Sequence, residues 1–180
     1  VGEDQAAHLE VTREMVRRFN HLYKKEIFPE PQAVYSKAKI LPGIDGRKMS
    51  KSYGNAIAFG AGPEEMKDRV RLMVTDPQRI KRTDKGNPDV CTVFTFHKVF
   101  NTENSEDIAC KCRAAEIGCV QCKNCLAERM NDILADIHIR REELKNKPNY
   151  VREVLEFGAE RARKVAAANM EEIRAAMNVL

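Results

Sequence analysis

The sequence predicts a mostly α-helical protein in which a short α/β piece, ending near Gly60, precedes an all-helical piece. Three observations carry this prediction. Apolar residues recur at helical spacing over most of the 180 residues, glycine and proline cluster at Gly60–Pro63, and a short extended segment enters a turn before that cluster. We therefore place the domains at 1–60 and 61–180.

Composition excludes several classes of protein. The chain is 43% hydrophobic and 32% charged with a net charge of +4, which excludes a disordered chain and gives only weak support for a nucleic-acid partner. No apolar run is long enough to span a bilayer, and Val1–Asp4 lacks the basic flank of a signal peptide. We expect a cytoplasmic protein with reduced cysteines and no membrane partner.

The first piece contains one amphipathic helix followed by an extended segment. Asp4 is the predicted N-cap, and Ile27–Pro31 ends the helix. Ala38–Leu41 is predicted to be a short strand that enters the turn Pro42–Gly46. A nucleotide-binding sheet needs several βαβ units of about 30 residues each, so this piece is expected to end a larger domain. The helical stripe comprises Ala6, Leu9, Met15, Val16, Phe19, Leu22 and Tyr23.

The second piece is predicted to consist of helices joined by one irregular segment. A helix begins at Pro63, a short apolar segment covers Val93–Phe100, and Cys110–Cys125 is predicted to be irregular. The helix that begins at Pro63 is expected to bury Met66, Val70, Met73 and Val74. A long helix, stopped before Pro148, carries Leu126, Met130, Ile133, Leu134, Ile137 and Leu144. The last helix carries Val151, Val154, Leu155, Val165, Met170, Ile173 and Met177.

The segment Lys48–Ser52 carries the sharpest local signal. Two lysines and two serines in a loop followed by Gly54 can bind a polyphosphate, although most short basic loops are merely solvated turns. The letters read KMSKS and resemble the second signature of class I aminoacyl-tRNA synthetases, whose loop covers the phosphates of ATP. The resemblance implies catalytic roles for Lys48 and Lys51, with Lys51 the stronger candidate. It also implies that Lys48, Met49, Ser50, Lys51 and Ser52 bind ATP, which enters with Mg²⁺.

A second motif narrows the resemblance to one branch of these enzymes. Gly2–Gln5, with His8–Glu10 and Thr12–Arg13, resembles the GEDQ..HLE.TR segment of tryptophanyl-tRNA synthetases. Taken alone, this stretch is an ordinary N-capped helix, and tyrosyl relatives usually carry other residues there. By position, the resemblance assigns Gly2, Glu3, Asp4 and Ile40 to the adenosine part of ATP and Gln5 to the amino-acid substrate.

The resemblance extends along the whole chain. Met73–Pro77, Asn87–Pro88 and Val151–Leu155 are similar to the helical C-terminal domain of tryptophanyl-tRNA synthetases. It implies the end of a Rossmann-like catalytic domain followed by a helical anticodon-binding domain. The histidine signature HIGH is absent, and no initiator methionine precedes Val1. We therefore expect a C-terminal portion that does not activate tryptophan unaided, from an enzyme that forms a homodimer.

Six cysteines, five of them within Cys110–Cys125, predict a metal site. Thiolates at CxxC spacing bind zinc or an iron–sulfur cluster, and buried free cysteines are the alternative. Some bacterial tryptophanyl-tRNA synthetases carry a [4Fe–4S] site with one distant cysteine followed by C-x6-C-x2-C. That resemblance implies the ligands Cys91, Cys112, Cys119 and Cys122. A zinc site on Cys110, Cys112, Cys122 and Cys125 is the alternative. Either metal would have a structural role, because it would hold the segment Cys110–Cys125 together.

The resemblance also implies substrates and partners. The protein is expected to be a tryptophan-activating ligase that uses ATP and L-tryptophan and charges tRNA-Trp. A non-catalytic, metal-clamped RNA-binding module of the same descent and a tyrosyl-type relative are the alternatives. The candidates for phosphate contacts, each of which could equally be a solvated surface cation, are Lys111, Arg113, Lys123, Arg140 and Arg141.

Overall fold

The computed structural model describes residues 2–35 and 41–179 and divides the chain into two compact units. One unit comprises Val1–Ile40 with Leu144–Leu180, and the other comprises Leu41–Glu143. Both are built from helices, and within the described ranges there is no β-strand, only an isolated bridge between Pro42 and Lys48. The mostly α prediction is confirmed. The predicted strand Ala38–Leu41 lies outside the described residues except for Leu41.

Helix α1 spans Ala6–Tyr23 and begins later than the sequence predicts. A 3-10 turn over Glu3–Gln5 precedes it, and the Gln5 amide donates to the Gly2 carbonyl over 3.0 Å. Gln5 therefore occupies the N-cap position of α1. The prediction of Asp4 as N-cap is wrong, because the tighter turn has already placed that residue inside a helical segment.

The end of α1 is fixed by Asn20. Its Nδ2 donates to the Phe28 carbonyl over 2.8 Å, and its Oδ1 accepts from the amides of Ile27 and Phe28. Lys24 adopts a left-handed φ of 51°, which reverses the chain, and the Phe28 ring then packs edge-on against Phe19. The predicted end of the helix before Ile27 is confirmed.

The last helix of the chain, α6, spans Pro148–Met177. Proline occupies its first turn, where the missing amide costs no hydrogen bond. Several of its apolar side chains are exposed, among them Val154, Leu155 and Val165. Within the described part of the chain, no helix combines the length and apolarity needed to cross a membrane.

The second unit contains the main core. Its helices are α2 (Pro63–Arg71), α3 (Thr92–Phe100) and α4 (Ser105–Arg113), and α5 (Cys119–Lys145) begins in it. Burial of each large apolar side chain contributes about 1.5–3 kcal/mol, so these residues stabilise the unit together. The core cluster comprises Ala61, Met66, Val70, Met73, Val93, Phe96, Leu126, Ala127, Met130 and Leu134.

Several residues that the sequence places on apolar helix faces lie outside this cluster. Helix α2 ends at Arg71, so Val74 leaves the helical face and is exposed, although Met73 remains buried. On α5, Ile133 and Ile137 are 45% and 49% exposed, while Met130 and Leu134 are buried. The stripe on α5 is therefore narrower than the apolar pattern indicates.

Most of Cys110–Cys125 is helical, which corrects the prediction of an irregular segment. Cys110 lies on α4, and Cys119 opens α5. The chain bends over 114–118, where Ala115 has a φ of 61°. The CxxC spacing was interpreted as metal-ligand spacing in a loop, but residues three apart also share one face of a helix.

Candidate nucleotide loop and cysteine cluster

The lysine and serine loop lies in the second unit and is closed at its base. The Gly43 amide donates to the Arg47 carbonyl over 2.7 Å, and Pro42 bridges to Lys48 across the turn. Gly46 has a φ of 79°, a conformation that residues with a Cβ rarely adopt. The predicted turn Pro42–Gly46 thus delivers the chain to Lys48.

The KMSKS segment divides into anchored and exposed residues. Met49 is half-buried and packs against the core cluster, and Ser50 is half-buried beside it. Lys48, Lys51 and Ser52 are exposed. The Oγ atoms of Ser50 and Ser52 lie 2.7 Å apart, so the two hydroxyls share a hydrogen bond. Both lysines are therefore accessible to an anion, while Met49 fixes the segment to the protein.

The Asp45 carboxylate lies in the turn that leads into the loop. Its Oδ1 accepts from Asn55 Nδ2 over 2.8 Å, and its Oδ2 accepts from Arg47 Nε over 2.8 Å. These hydrogen bonds, that from Asn55 foremost and those from Arg47 after it, lower the pKa of Asp45 from its ordinary 3.8 to about 2. The carboxylate is thus ionised at neutral pH.

The residues assigned to adenosine and to the amino acid lie in the first unit. Gly2 and Gln5 are half-buried, and Glu3 is exposed in the 3-10 turn that opens α1. The backbone of Asp4 belongs to the same turn. Ile40, predicted to pack on the adenine, lies outside the described residues.

Five of the six cysteines form a group in the second unit. Burial, followed by repulsion from neighbouring thiols, raises the pKa of the Cys122 thiol to about 12. These neighbours are Cys91, Cys112, Cys119 and Cys125. All six cysteines are free, and Cys110 is exposed and does not belong to the group.

Two more thiols of the group show the same behaviour. Burial raises the pKa of Cys91, and the Cys119 thiol adds to the effect. Burial also raises the pKa of Cys112, with repulsion from Cys91 and Cys119 added and the Arg79 guanidinium opposing. Cys91, Cys112, Cys119 and Cys122 are therefore mutual electrostatic neighbours. Among the described residues, however, no three histidine, cysteine or carboxylate side chains are arranged to hold one metal ion.

Two buried polar side chains that the sequence did not reveal lie beside Cys122 and Cys125. His97 is fully buried, and its Nε2 lies 3.4 Å from the Cys122 sulfur and 3.2 Å from the Cys122 carbonyl. Asn101, also buried, lies between the His97 ring and the Cys125 sulfur. Burial lowers the pKa of His97, so the ring is neutral at neutral pH.

An open cleft adjoins the cysteine group. Its volume is about 580 Å³, and Cys119 forms part of its wall. Three cations and two carboxamides line it: Arg79, Lys81, Arg82, Gln121 and Asn124. Sequence reasoning missed this set, since the basic residues precede the cysteines by more than one helix and the fold alone brings them together.

Several of the predicted phosphate-binding cations have partners within the protein. Lys111 pairs with Asp107 at 2.6 Å, and Arg113 lies 3.7 Å from Asp89. Lys123 donates to the Arg71 carbonyl at the end of α2 over 2.8 Å. Arg140 and Arg141 are exposed. Lys123 therefore serves as a helix cap first, and the exposed cations are the stronger candidates for a nucleic-acid contact.

Comparison with known proteins gives a consistent set of relatives. A family model described as tRNA synthetases class I (W and Y) matches residues 1–135. A tryptophan–tRNA ligase of Aquifex aeolicus is 46% identical over 99% of this chain and 46% of its own length. That of Thermotoga maritima is 47% identical over the whole of this chain and 55% of its own length. The chain spans about half the length of the curated relatives it matches.

Solved structures agree with these relatives. A tryptophanyl-tRNA synthetase from Campylobacter jejuni, complexed with ADP and tryptophan, superposes with a TM-score of 0.74 at 29% identity. The match covers 99% of this chain and 56% of that one. An archaeal tryptophanyl-tRNA synthetase from Aeropyrum pernix superposes with a TM-score of 0.64 over 81% of this chain and 40% of its own, also at 29% identity.

Proposed function

Because the chain belongs to the class I tRNA synthetases of the tryptophan and tyrosine branch, we propose that it is part of a tryptophan–tRNA ligase. The observation that carries the proposal is the KMSKS loop, whose two lysines are exposed while Met49 fixes it to the core. The named relatives are tryptophan ligases, which favours tryptophan over tyrosine as substrate. The proposed domains are the end of the catalytic domain at 1–60 and an anticodon-binding domain at 61–180.

The proposed reaction begins with activation of L-tryptophan. A carboxylate oxygen of tryptophan attacks the α-phosphorus of ATP, the bond to the β-phosphate oxygen breaks, and pyrophosphate leaves with the electron pair. ATP enters as its Mg²⁺ complex, which neutralises part of the phosphate charge. Lys51, with Lys48 beside it, would meet the oxygens on which negative charge grows. The 2′- or 3′-hydroxyl of the terminal tRNA nucleotide then takes the tryptophanyl group and releases AMP.

We further propose contacts to the adenosine part of ATP, on the residues that the resemblance assigns to it. Gly2 allows a ribose to approach the backbone, because it presents no Cβ. Glu3 and Asp4 would accept hydrogen bonds from ribose hydroxyls, and Ile40 would pack on the adenine. Gln5 is the proposed contact to the amino-acid substrate.

We propose a [4Fe–4S] cluster on Cys91, Cys112, Cys119 and Cys122. Their mutual repulsion supports this set, since four thiols that lie close together are a suitable donor group for a cluster with four irons. Cys110 is exposed and lies outside the group, so the alternative zinc quartet, which includes it, is less well supported. When bound, the cluster would join α4, α5 and the start of α3.

The proposed tRNA surface includes the basic cleft beside the cysteines. Exposed Lys81 and Arg82 can contact phosphates, while Gln121 and Asn124 can hydrogen-bond to the edges of unstacked bases. The exposed Arg140 and Arg141 are further candidates for phosphate contacts. The partner is tRNA-Trp, the proposed assembly is a homodimer, and the proposed compartment is the cytoplasm, where tRNA is charged.

Substitution of one lysine tests the proposal. Lys51→Ala should lower tryptophan-dependent ATP–pyrophosphate exchange by at least about 100-fold, the scale of a lost transition-state contact. Binding of tRNA-Trp should stay within about twofold, because the cation contacts ATP alone. Lys164→Ala is the matched control, since Lys164 is an exposed lysine on α6 that pairs with Glu160 of the same helix. Equal loss of both activities in Lys51→Ala would refute the assigned role.

A further inference from the structure

A buried carboxamide lies three residues after the KMSKS segment. The side chain of Asn55 is 2% exposed, although the four residues before it, Lys51–Gly54, are all exposed. Its Oδ1 accepts from the Ser50 amide over 2.8 Å. Its Nδ2 donates to the Lys48 carbonyl over 3.1 Å and to Asp45 Oδ1 over 2.8 Å. One side chain thus satisfies backbone groups on both sides of Met49.

The space for this carboxamide depends on a glycine. A Cβ added to Gly43 would lie 2.3 Å from Asn55 Nδ2 and 2.4 Å from its Cγ. Both distances are too short for a Cβ contact, so the Asn55 side chain would have to move. The backbone of Asn55 is held as well, since its carbonyl accepts from the Ile44 amide over 2.9 Å. The turn before the loop and the residue after it are therefore fitted to each other.

The two lysines of the signature are attached differently. Lys48 has a backbone fixed by the bridge to Pro42 and by the hydrogen bond from Asn55. Lys51 lies in a 3-10 turn that ends at Gly54, where φ is 63°. The amides of Tyr53 and Gly54 close this turn by donating to the carbonyls of Ser50 and Lys51. From outside, Arg69 donates to the Gly54 carbonyl, in an exposed bond that solvent can replace.

We propose that Asn55 is a positioning residue that divides the loop into a fixed part carrying Lys48 and a movable part carrying Lys51. The inference rests on the proposed function, since a loop that covers ATP must both hold its place and close. The Asn55 carboxamide ends the fixed part at Ser50, whose amide it binds. Closure then moves Lys51–Gly54 alone, and Lys51 reaches the phosphates from a base that does not shift.

A short chain of contacts links the same carboxamide to Tyr53 in the movable part of the loop. Asn55 holds the Asp45 carboxylate, which binds the Arg47 guanidinium, and that guanidinium lies 5.3 Å from the centroid of the Tyr53 ring. Cation–π contacts at exposed sites are weak and break easily. The contact between Arg47 and Tyr53 therefore retains the movable part in this position. Asn55 orients that contact through Asp45, and the contact can break when ATP binds.

Two substitutions disturb the carboxamide by independent routes. Asn55→Ala removes its hydrogen bonds, and Gly43→Ala keeps every polar group but displaces the side chain. In the protein as its gene encodes it, both should speed amide hydrogen exchange in 48–50 by about tenfold or more. Both should also lower kcat for pyrophosphate exchange by about 10- to 100-fold, with tryptophan affinity changed less than about twofold.

The matched control is Asn20→Ala. Asn20 also holds a loop through three hydrogen bonds of its carboxamide, but that loop contains neither lysine. This variant should leave exchange in 48–50 and kcat unchanged. The proposal would be overturned if Asn55→Ala and Gly43→Ala left amide hydrogen exchange in 48–50 unaffected. It would also be overturned if kcat in these two variants did not differ from kcat in Asn20→Ala. If the wild-type protein lacks pyrophosphate exchange, the proposed function fails, while hydrogen exchange still decides whether Asn55 fixes the loop.

Discussion

The Arg79 guanidinium donates from Nη1 to the Cys112 sulfur, with 3.7 Å between the two atoms. Its Nη2 donates to the carbonyls of Ile117 and Arg82 over 2.8 Å and 3.0 Å. A Cβ at Gly86 would lie 2.5 Å from the same sulfur, so a cation and a bare backbone together enclose it. One arginine therefore joins the cysteine group, the bend before α5 and the basic cleft.

The forked geometry of Arg79 predicts that lysine cannot replace it. Arg79→Lys keeps the charge but cannot reach the sulfur and two carbonyls at once, and the loss of these bonds should cost about 1–3 kcal/mol of unfolding free energy. Urea unfolding measures this. Arg82→Lys, at an exposed neighbour, should change the free energy by less than about 0.5 kcal/mol. Equal effects of the two variants would show that the bonds to Arg79 contribute nothing.

The cluster proposal predicts a difference between two cysteines. Cys122→Ser should abolish the broad visible absorbance and the iron content of anaerobically purified protein, because Cys122 is a proposed ligand whose thiol has the other cysteines of the group as neighbours. Cys110→Ser should retain both, since Cys110 is exposed on α4. A colourless wild-type protein with one equivalent of zinc would instead support the zinc alternative.

The lowered pKa of Asp45 predicts a pH dependence at the loop. Because the folded pKa of about 2 lies below the ordinary 3.8, the stabilisation by this carboxylate is complete above about pH 4 and is lost as pH falls toward 2. Carboxyl titration followed by NMR should give the low midpoint. Asn55→Ala should raise that midpoint toward 3.8, since the hydrogen bond from Asn55 is the largest cause. A midpoint unchanged by Asn55→Ala would contradict the assigned contact.

The core predicts where the second unit is least tolerant of change. Leu126 is fully buried in the cluster against which Met49 packs, so Leu126→Ala should lower the unfolding free energy by about 2–5 kcal/mol. Leu72→Ala is the matched control, because Leu72 is 66% exposed and should cost less than about 0.5 kcal/mol. Thermal unfolding compares the two, and a similar loss in both would mean that this core is wrongly identified.

The helical spacing of apolar residues and the glycines and proline of Gly60–Pro63 made the mostly α fold predictable. The start of α2 at Pro63 follows from proline's fixed φ. The cysteine segment was not predictable as helix, since i,i+3 spacing serves equally for metal ligands and for a helix face. Motifs identified the lysines of the loop. They could not reveal Asn55, Gly43, Arg79 or His97, whose roles depend on contacts that only the folded chain creates.

Amino-acid-dependent ATP–pyrophosphate exchange tests the central claim most directly. With the protein as its gene encodes it, L-tryptophan should support exchange at least about 1000-fold faster than L-tyrosine, since a site built to hydrogen-bond one side chain rejects an analogue that leaves its polar groups unpaired. Lys51→Ala should remove most of that exchange. Exchange supported by L-tyrosine instead, or absent with both amino acids, would contradict the assignment as a tryptophan–tRNA ligase.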